Sequence, residues 1–300
     1  MNILILGATG MLGHKLLQVL QSSHHVEATC RQLPESLKAY SYFDSVLSGY
    51  EANNFSAIEQ LLRQKKYDVV INCIGIIKQL KASYDPIPSL EINSLFPHRV
   101  NKVCQEVGSR FIHISTDCVF SGSKGNYTEQ DEPDAKDLYG KSKELGEVKE
   151  HGLTIRTSII GHEITSQLSL VNWFLSQEGN VNGYRKAIYT GLPTVSLARV
   201  IQQIIETQTS LQGLYQVAST PINKFDLLKL ITADYRKDIE IEPYDDFVND
   251  KSLQGQAFEQ ATGIKVPSWP ELIHAMHEDF VTYEDFYRTL NPALKVHQLG

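Results

Sequence analysis

Tyr139 and Lys143 are the residues of this chain whose types and spacing first suggest chemistry. Four positions apart on a helix, they share one face. A free phenol has a pKa of about 10, so releasing its proton near pH 7 requires ~3 units, or ~4 kcal/mol, of anion stabilisation. An ammonium about 5 Å away at an effective dielectric near 20 supplies ~3 kcal/mol. Lys143 is therefore expected to tune Tyr139 as a general acid. Thr116, within Ser115-Thr116-Asp117, ends an apolar run and is placed to bond a carbonyl oxygen and hold it in line. The chain has 14 tyrosines, so roughly one Tyr-x-x-x-Lys match arises by chance and its context must decide.

That context opens at the start of the chain. Gly7-Ala8-Thr9-Gly10-Met11-Leu12-Gly13 follows the apolar run Asn2–Leu6 and leads into a helical pattern. Gly7 permits the turn, Gly10 lets a pyrophosphate approach the backbone, and Gly13 lets helix pack on strand. The free N–H groups around Thr9, Met11 and Leu12 then face a diphosphate. The spacing is GxxGxxG in a strand-turn-helix context, which points to a dinucleotide site. Its chemistry is read at the end of the next strand, Thr29-Cys30-Arg31-Gln32, where no acid is present to bind a ribose 2′-hydroxyl. Glu27 lies too early in that strand. Arg31 is placed to pair with a 2′-phosphate, so NADPH is expected in preference to NADH.

Positioning these groups falls to an alternation of short apolar runs and amphipathic helices. Strands are expected at 2–6, 26–30, 69–73, 111–115, 153–158 and 213–218. Helices are expected at 11–21, 55–66, about 90–107, about 137–151, 169–176 and 195–207. Continuous apolar strands between helices imply a doubly wound, Rossmann-type parallel sheet covered on both faces. Residues 1–162, continued by about 193–219, are expected to form the dinucleotide-binding domain. Residues 163–192 and 220–300, where the rhythm weakens, are expected to form a smaller C-terminal α/β substrate lobe. In that lobe Arg185 and Lys186 are candidates to neutralise a substrate diphosphate, with surface charge as the plainer alternative.

Composition narrows the function classes. Hydrophobic residues make up 42% of 300 and charged residues 21%, which suits a globular domain and not a disordered tail. Lys and Arg total 28 against 35 acids, a net charge of −7, and this argues against a nucleic-acid partner. The longest apolar-rich run, 69–77, is far short of the ~20 residues of a membrane span. No targeting pattern precedes the first strand, so a cytoplasmic location is expected. Cys30, Cys73, Cys104 and Cys118 lack CxxC spacing, and read as buried reduced thiols with no metal site.

Together these motifs resemble the extended short-chain dehydrogenase/reductases, and within them the dTDP-4-dehydrorhamnose reductase group. The matching pieces are GATGMLG at 7–13, INCIG at 71–75, STDCVFSG at 115–122, YGKSKELGE at 139–147 and RTSIIG at 156–161. The segments 191–194, 250–253 and 261–263 match less specifically. The resemblance implies a catalytic triad of Thr116, Tyr139 and Lys143. It further implies that Cys73, Ile74, Gly75, Tyr139 and Lys143 contact the cofactor, and that Thr116, Asp117 and Cys118 face the substrate. The implied reaction is reduction at C4 of a nucleotide-linked 4-keto-6-deoxysugar by NADPH, for polysaccharide precursors; a homodimer is also implied. Cys118 departs from the pattern, standing where reductases commonly have tyrosine and 4,6-dehydratases have glutamate. Two rivals share the resemblance: a sugar-nucleotide 4-epimerase, and a non-catalytic NADP-binding subunit like that of methionine adenosyltransferase.

Overall fold

The computed structural model describes residues 1–164 and 166–292; Thr165 and 293–300, which the sequence reading places in the substrate lobe, lie outside the described residues. The chain begins β1 (Asn2–Leu6), α1 (Gly13–Leu20), β2 (His25–Cys30), β3 (Val46–Ser48), α2 (Phe55–Gln64) and β4 (Val69–Asn72). It continues α3 (Pro86–Ser89), α4 (Phe96–Val107), β5 (Arg110–Thr116), α5 (Leu138–Leu145), β6 (Leu153–Thr157) and β7 (Ile159–Ile160). Next come α6 (Leu170–Ser176), β8 (Asn180–Tyr184), β9 (Ala187–Tyr189), β10 (Leu192–Pro193), α7 (Thr194–Thr207) and β11 (Gly213–Gln216). The last elements are β12 (Ile222–Asn223), α8 (Lys224–Tyr235), β13 (Glu240–Tyr244) and β14 (Asn249–Asp250). Helices α9 (Gln256–Thr262), α10 (Trp269–Thr282) and α11 (Glu284–Leu290) follow.

Seven strands form one parallel sheet in the order β11-β6-β5-β4-β1-β2-β3. Its architecture is the Rossmann-type fold the alternation implies. Successive residues of β1 feed opposite cores: Ile3 and Ile5 pack with α1 and α7, while Leu4 and Leu6 pack with α2 and α4. That two-sided demand is why the strands are continuous apolar runs. The chain moves from β1 to β2 on one side and to β4 on the other, so a crevice opens between the carboxyl ends of β1 and β4. Leu6 pairs with both Thr29 and Asn72, which levels the three strand ends around it.

Three elements differ from expectation. β3 is a three-residue edge strand with no apolar run to announce it. The long helix expected at about 90–107 runs without a break from Pro86, and its stretch Leu90–Leu95, ahead of α4, is π-helical. The helix expected to reach His151 ends at Leu145, because Glu147 turns inward to pair with Arg156 at 2.6 Å. Both partners are buried, and Ser115 also donates to Glu147 at 2.7 Å. Beyond the main sheet, short strands pair as β10-β7, β12-β9-β14 and β13-β8.

Candidate active site

The glycine turn occupies the crevice. Gly7 has φ +100°, and a Cβ there would stand 3.2 Å from Ile74 Cγ1 and 3.4 Å from the Cys73 carbonyl carbon. A Cβ on Gly13 would sit 1.9 Å from Gly7 O, so only glycine lets α1 start this close to β1. Gly10 has nothing nearer than Gly7 O at 3.6 Å and is exposed, with Thr9 and Met11 half-buried and Leu12 buried. The turn is thus closed on the sheet side and open at Gly10, the shape a diphosphate needs at a helix start.

Across the crevice, Ile74 N–H donates to Asn72 Oδ1 at 3.0 Å and Ile76 N–H to Asn93 Oδ1 at 2.8 Å. Gly75 backs onto Lys143: a Cβ there would lie 3.8 Å from the ammonium. Asn93, from the π-helical turn, also bonds Ser142 Oγ at 3.1 Å and so ties this loop to α5. Sequence reasoning missed Asn93, and its signal is only local, since π turns recur at functional sites.

Helix α5 is aimed by its N-cap, where Asp137 accepts from Gly140 N–H at 2.8 Å. Gly140 packs so tightly that a Cβ would meet Cys118 O at 2.3 Å by construction, which brings Tyr139 beside the segment after β5. Lys143, one turn on, is buried and donates to Ile114 O at 2.8 Å. Burial lowers its pKa to about 8, with Glu147 opposing, and lifts the neighbouring Cys73 thiol to about 12. The Tyr139 phenol moves the other way from the expectation. Burial, with Cys118 beside it, pushes it above the ordinary phenol value, and a bond with Thr116 offsets only part of the rise. Burial outweighs the Thr116 bond, and Lys143 is not among the groups that chiefly shift the phenol; spacing along a helix does not reveal how deeply either side chain is buried. The phenol therefore holds its proton firmly, the reverse of the anion stabilisation expected from its spacing to Lys143.

Thr116 Oγ1 donates to Asp117 Oδ1 at 3.1 Å and accepts from Cys118 N–H at 3.1 Å. Asp117 is buried, and burial raises its carboxyl pKa while Lys251 and bonds from Thr116, Cys118 and Ser158 oppose the shift. Cys118 is half-buried, its thiol pushed up to about 12 by burial and by Asp117. Lys224 feels the same two groups, and Tyr189, 8% exposed, also stands in their field. The sequence reading did not single out Lys224, Lys251 or Tyr189. Their juxtaposition comes from the three-stranded sheet, where Ile222 pairs with Tyr189 and Asp250 with Ile188.

Other candidates lie apart. Arg185 is exposed in the turn between β8 and β9 and donates through Nε to Asp245 at 2.9 Å; Lys186 is exposed beside it. No bond joins either to the Thr116 cluster among the described residues. Arg31 is exposed at the end of β2, and its guanidinium has no ion-pair partner among the described residues. Glu27 is engaged elsewhere, with Lys65 at 2.6 Å and the Tyr67 hydroxyl at 2.5 Å. All four cysteines are free thiols, and among the described residues no group of three His, Cys, Asp or Glu is placed to hold a metal ion. Nor is any described helix long and apolar enough to cross a membrane.

Comparison with known proteins gives one family match, the RmlD substrate binding domain, over residues 1–282. The probable low-salt glycan biosynthesis reductase Agl14 of Haloferax volcanii is 30% identical over 166 residues, 53% of this chain and 54% of that protein. Methionine adenosyltransferase 2 subunit beta of Rattus norvegicus is 29% identical over 148 residues, 49% of this chain and 41% of that one. A Mycobacterium tuberculosis dTDP-4-dehydrorhamnose reductase is 30% identical over 151 residues, covering 49% and 44%. The chain thus spans about half the length of the curated relatives it matches. Among solved structures, dTDP-4-dehydrorhamnose reductase from Bacillus anthracis in complex with NADP superposes with a TM-score of 0.77. That pair shares 21% identity and covers 93% of this chain and 99% of the other, a likeness of fold.

Proposed function

The chain belongs to the RmlD substrate binding domain family, matched over residues 1–282, and on that premise we propose that it reduces the C4 keto group of a nucleotide-linked 4-keto-6-deoxysugar with NADPH. The observation that carries this reading is the convergence of Thr116, Tyr139 and Lys143 on the carboxyl ends of β4 and β5, beside an open glycine turn. The turn at Gly7–Gly13 would hold the cofactor's diphosphate, Arg31 its 2′-phosphate, and Cys73–Gly75 with Lys143 its nicotinamide ribose. NADPH, when bound, supplies the hydride.

The chain's own residues supply the rest. Thr116 orients the keto oxygen with its hydroxyl, which meets both Asp117 and the Tyr139 phenol. Tyr139 gives its proton to that oxygen as negative charge develops there, and Lys143 steadies the phenolate left behind. At a pKa of about 8 the Lys143 ammonium is charged at neutral pH and close enough to its titration to respond to a nearby anion. We place the substrate's diphosphate beside Lys224 and Lys251, which face the buried Asp117 cluster, and not at Arg185, which is already paired with Asp245. The product would serve polysaccharide precursor synthesis.

NADPH consumption across a panel of dTDP-, UDP- and GDP-linked 4-keto-6-deoxysugars tests this reading. Turnover on at least one supports it; none on any, with NADPH bound, removes it. The likeness to methionine adenosyltransferase 2 subunit beta favours a second reading, a non-catalytic dinucleotide-binding partner. A stable complex with another enzyme together with an inert panel would select that one.

A further inference from the structure

Beneath the glycine turn, α1 carries two polar residues almost without exposure: His14 at 0% and Lys15 at 1%. Lys15 is paired with Asp279 of α10 at 2.6 Å. His14 Nδ1 lies 2.9 Å from Gly10 O, and its Nε2 lies 3.1 Å from the Tyr287 hydroxyl of α11. A carbonyl oxygen only accepts, so Nδ1 carries the proton. Burial lowers the ring's pKa to about 3, which keeps it neutral. Nε2 is then an acceptor, and Tyr287 must donate to it. The chain of bonds is directional: Tyr287 O–H to His14 Nε2, then His14 Nδ1–H to Gly10 O.

Gly10 O also accepts the His14 backbone N–H at 3.1 Å. Two donors therefore draw this one carbonyl into the first turn of α1. In a trans peptide the C=O and the following N–H point in opposite directions, and the structure has no cis peptide among the described residues. Pulling Gly10 O toward the helix thus turns Met11 N–H outward, to the open mouth of the turn. No backbone acceptor takes that N–H among the described residues.

We infer that Tyr287 is a positioning residue for the dinucleotide: through His14 it locks the Gly10–Met11 peptide with its N–H toward the diphosphate. The inference rests on reading the glycine turn as a dinucleotide site. It does not come from the family match, which stops at residue 282, before α11 begins at Glu284. Anchoring is provided by Tyr287 itself, fully buried and stacked on Phe280 with ring centroids 5.8 Å apart.

Tyr287→Phe keeps that ring and removes only the hydroxyl. Losing one hydrogen bond raises the NADPH dissociation constant by roughly 2- to 12-fold. ADP-ribose, which has the diphosphate without the nicotinamide, weakens by a similar factor, while kcat at saturating cofactor stays within about twofold. His14→Asn, which returns an N–H near the Nδ1 position, recovers most of the affinity, and His14→Leu does not. In ligand-free wild type, nitrogen NMR of the His14 ring shows the Nδ1–H tautomer; Tyr287→Phe keeps that tautomer, because Gly10 O still only accepts, and shifts the Nε2 resonance that has lost its donor. Equal NADPH and ADP-ribose affinities for wild type and Tyr287→Phe, or an Nε2–H ring in wild type, overturn the relay alone. A wild type that binds neither ligand overturns the dinucleotide reading and the relay with it.

Discussion

Lys143→Met keeps the length and apolar stem of the side chain and removes its ammonium. Burial holds that ammonium's pKa at about 8 against an ordinary 10.5, a difference worth about 3 kcal/mol against the charged form. pH 7 lies below both values, so the folded wild type carries the whole cost there. The ammonium's bond to Ile114 O at 2.8 Å is already inside that net cost, and removing it leaves a part-buried acceptor without this donor, which costs the variant ~1–3 kcal/mol. The variant is therefore expected to be as stable as wild type at pH 7, or up to about 2 kcal/mol more stable. Turnover and NADPH affinity, by contrast, both fall, since one side chain serves proton transfer and the ribose. The pH dependence gives the sharper check. Between about 8 and 10.5 the folded wild type releases a proton that the unfolded chain keeps, so its stability rises with pH. Relative to the variant it gains on the order of 2–3 kcal/mol between pH 7 and pH 10. Urea denaturation of both proteins at the two pH values reads this directly. A variant that loses more than about 2 kcal/mol at pH 7, with a pH profile parallel to wild type, would refute the argument and make Lys143 a packing element.

Tyr139→Phe keeps the ring and should cut turnover ~10²–10⁴-fold with NADPH binding intact; steady-state rates within about threefold of wild type would count against the proton-donor role. Arg31→Ala should weaken NADPH by at least about tenfold and leave NADH nearly unchanged, and equal losses in titrations of the two cofactors would show that Arg31 does not meet the 2′-phosphate. His14 and His162 are buried, with pKa values lowered to about 3, whereas unfolded histidine titrates near about 6.5. Their contribution is full above that unfolded value and is lost as pH falls, by ~2 kcal/mol per histidine between pH 7 and pH 5. Urea midpoints that stay flat over that range would contradict it.

Local constraints were the legible ones. Gly7, Gly10 and Gly13 declare their turn because each meets a steric demand within a few residues, and β1, β4 and β5 declare themselves because two-sided burial forces apolar runs. The neighbourhood of Tyr189, Lys224 and Lys251 was not legible. It depends on pairing among strands of two or three residues from positions 187–250, too short for any period. The π-helical turn that offers Asn93 looks, in sequence, like the start of α4. The sign of the Tyr139 shift was hidden for another reason: spacing gives the direction of the Lys143 side chain but not the burial that both groups share.

The central claim is that a hydride ends on C4 of the sugar while Tyr139 supplies the proton. NADPH deuterated at the transferable nicotinamide position, incubated with a nucleotide-linked 4-keto-6-deoxysugar that the protein consumes, tests it most directly. The product's proton NMR spectrum should lack the H4 signal, with one deuterium at C4 per NADPH oxidised and a single configuration there. Product without deuterium, or sugar turnover with no NADPH oxidised, would contradict the account.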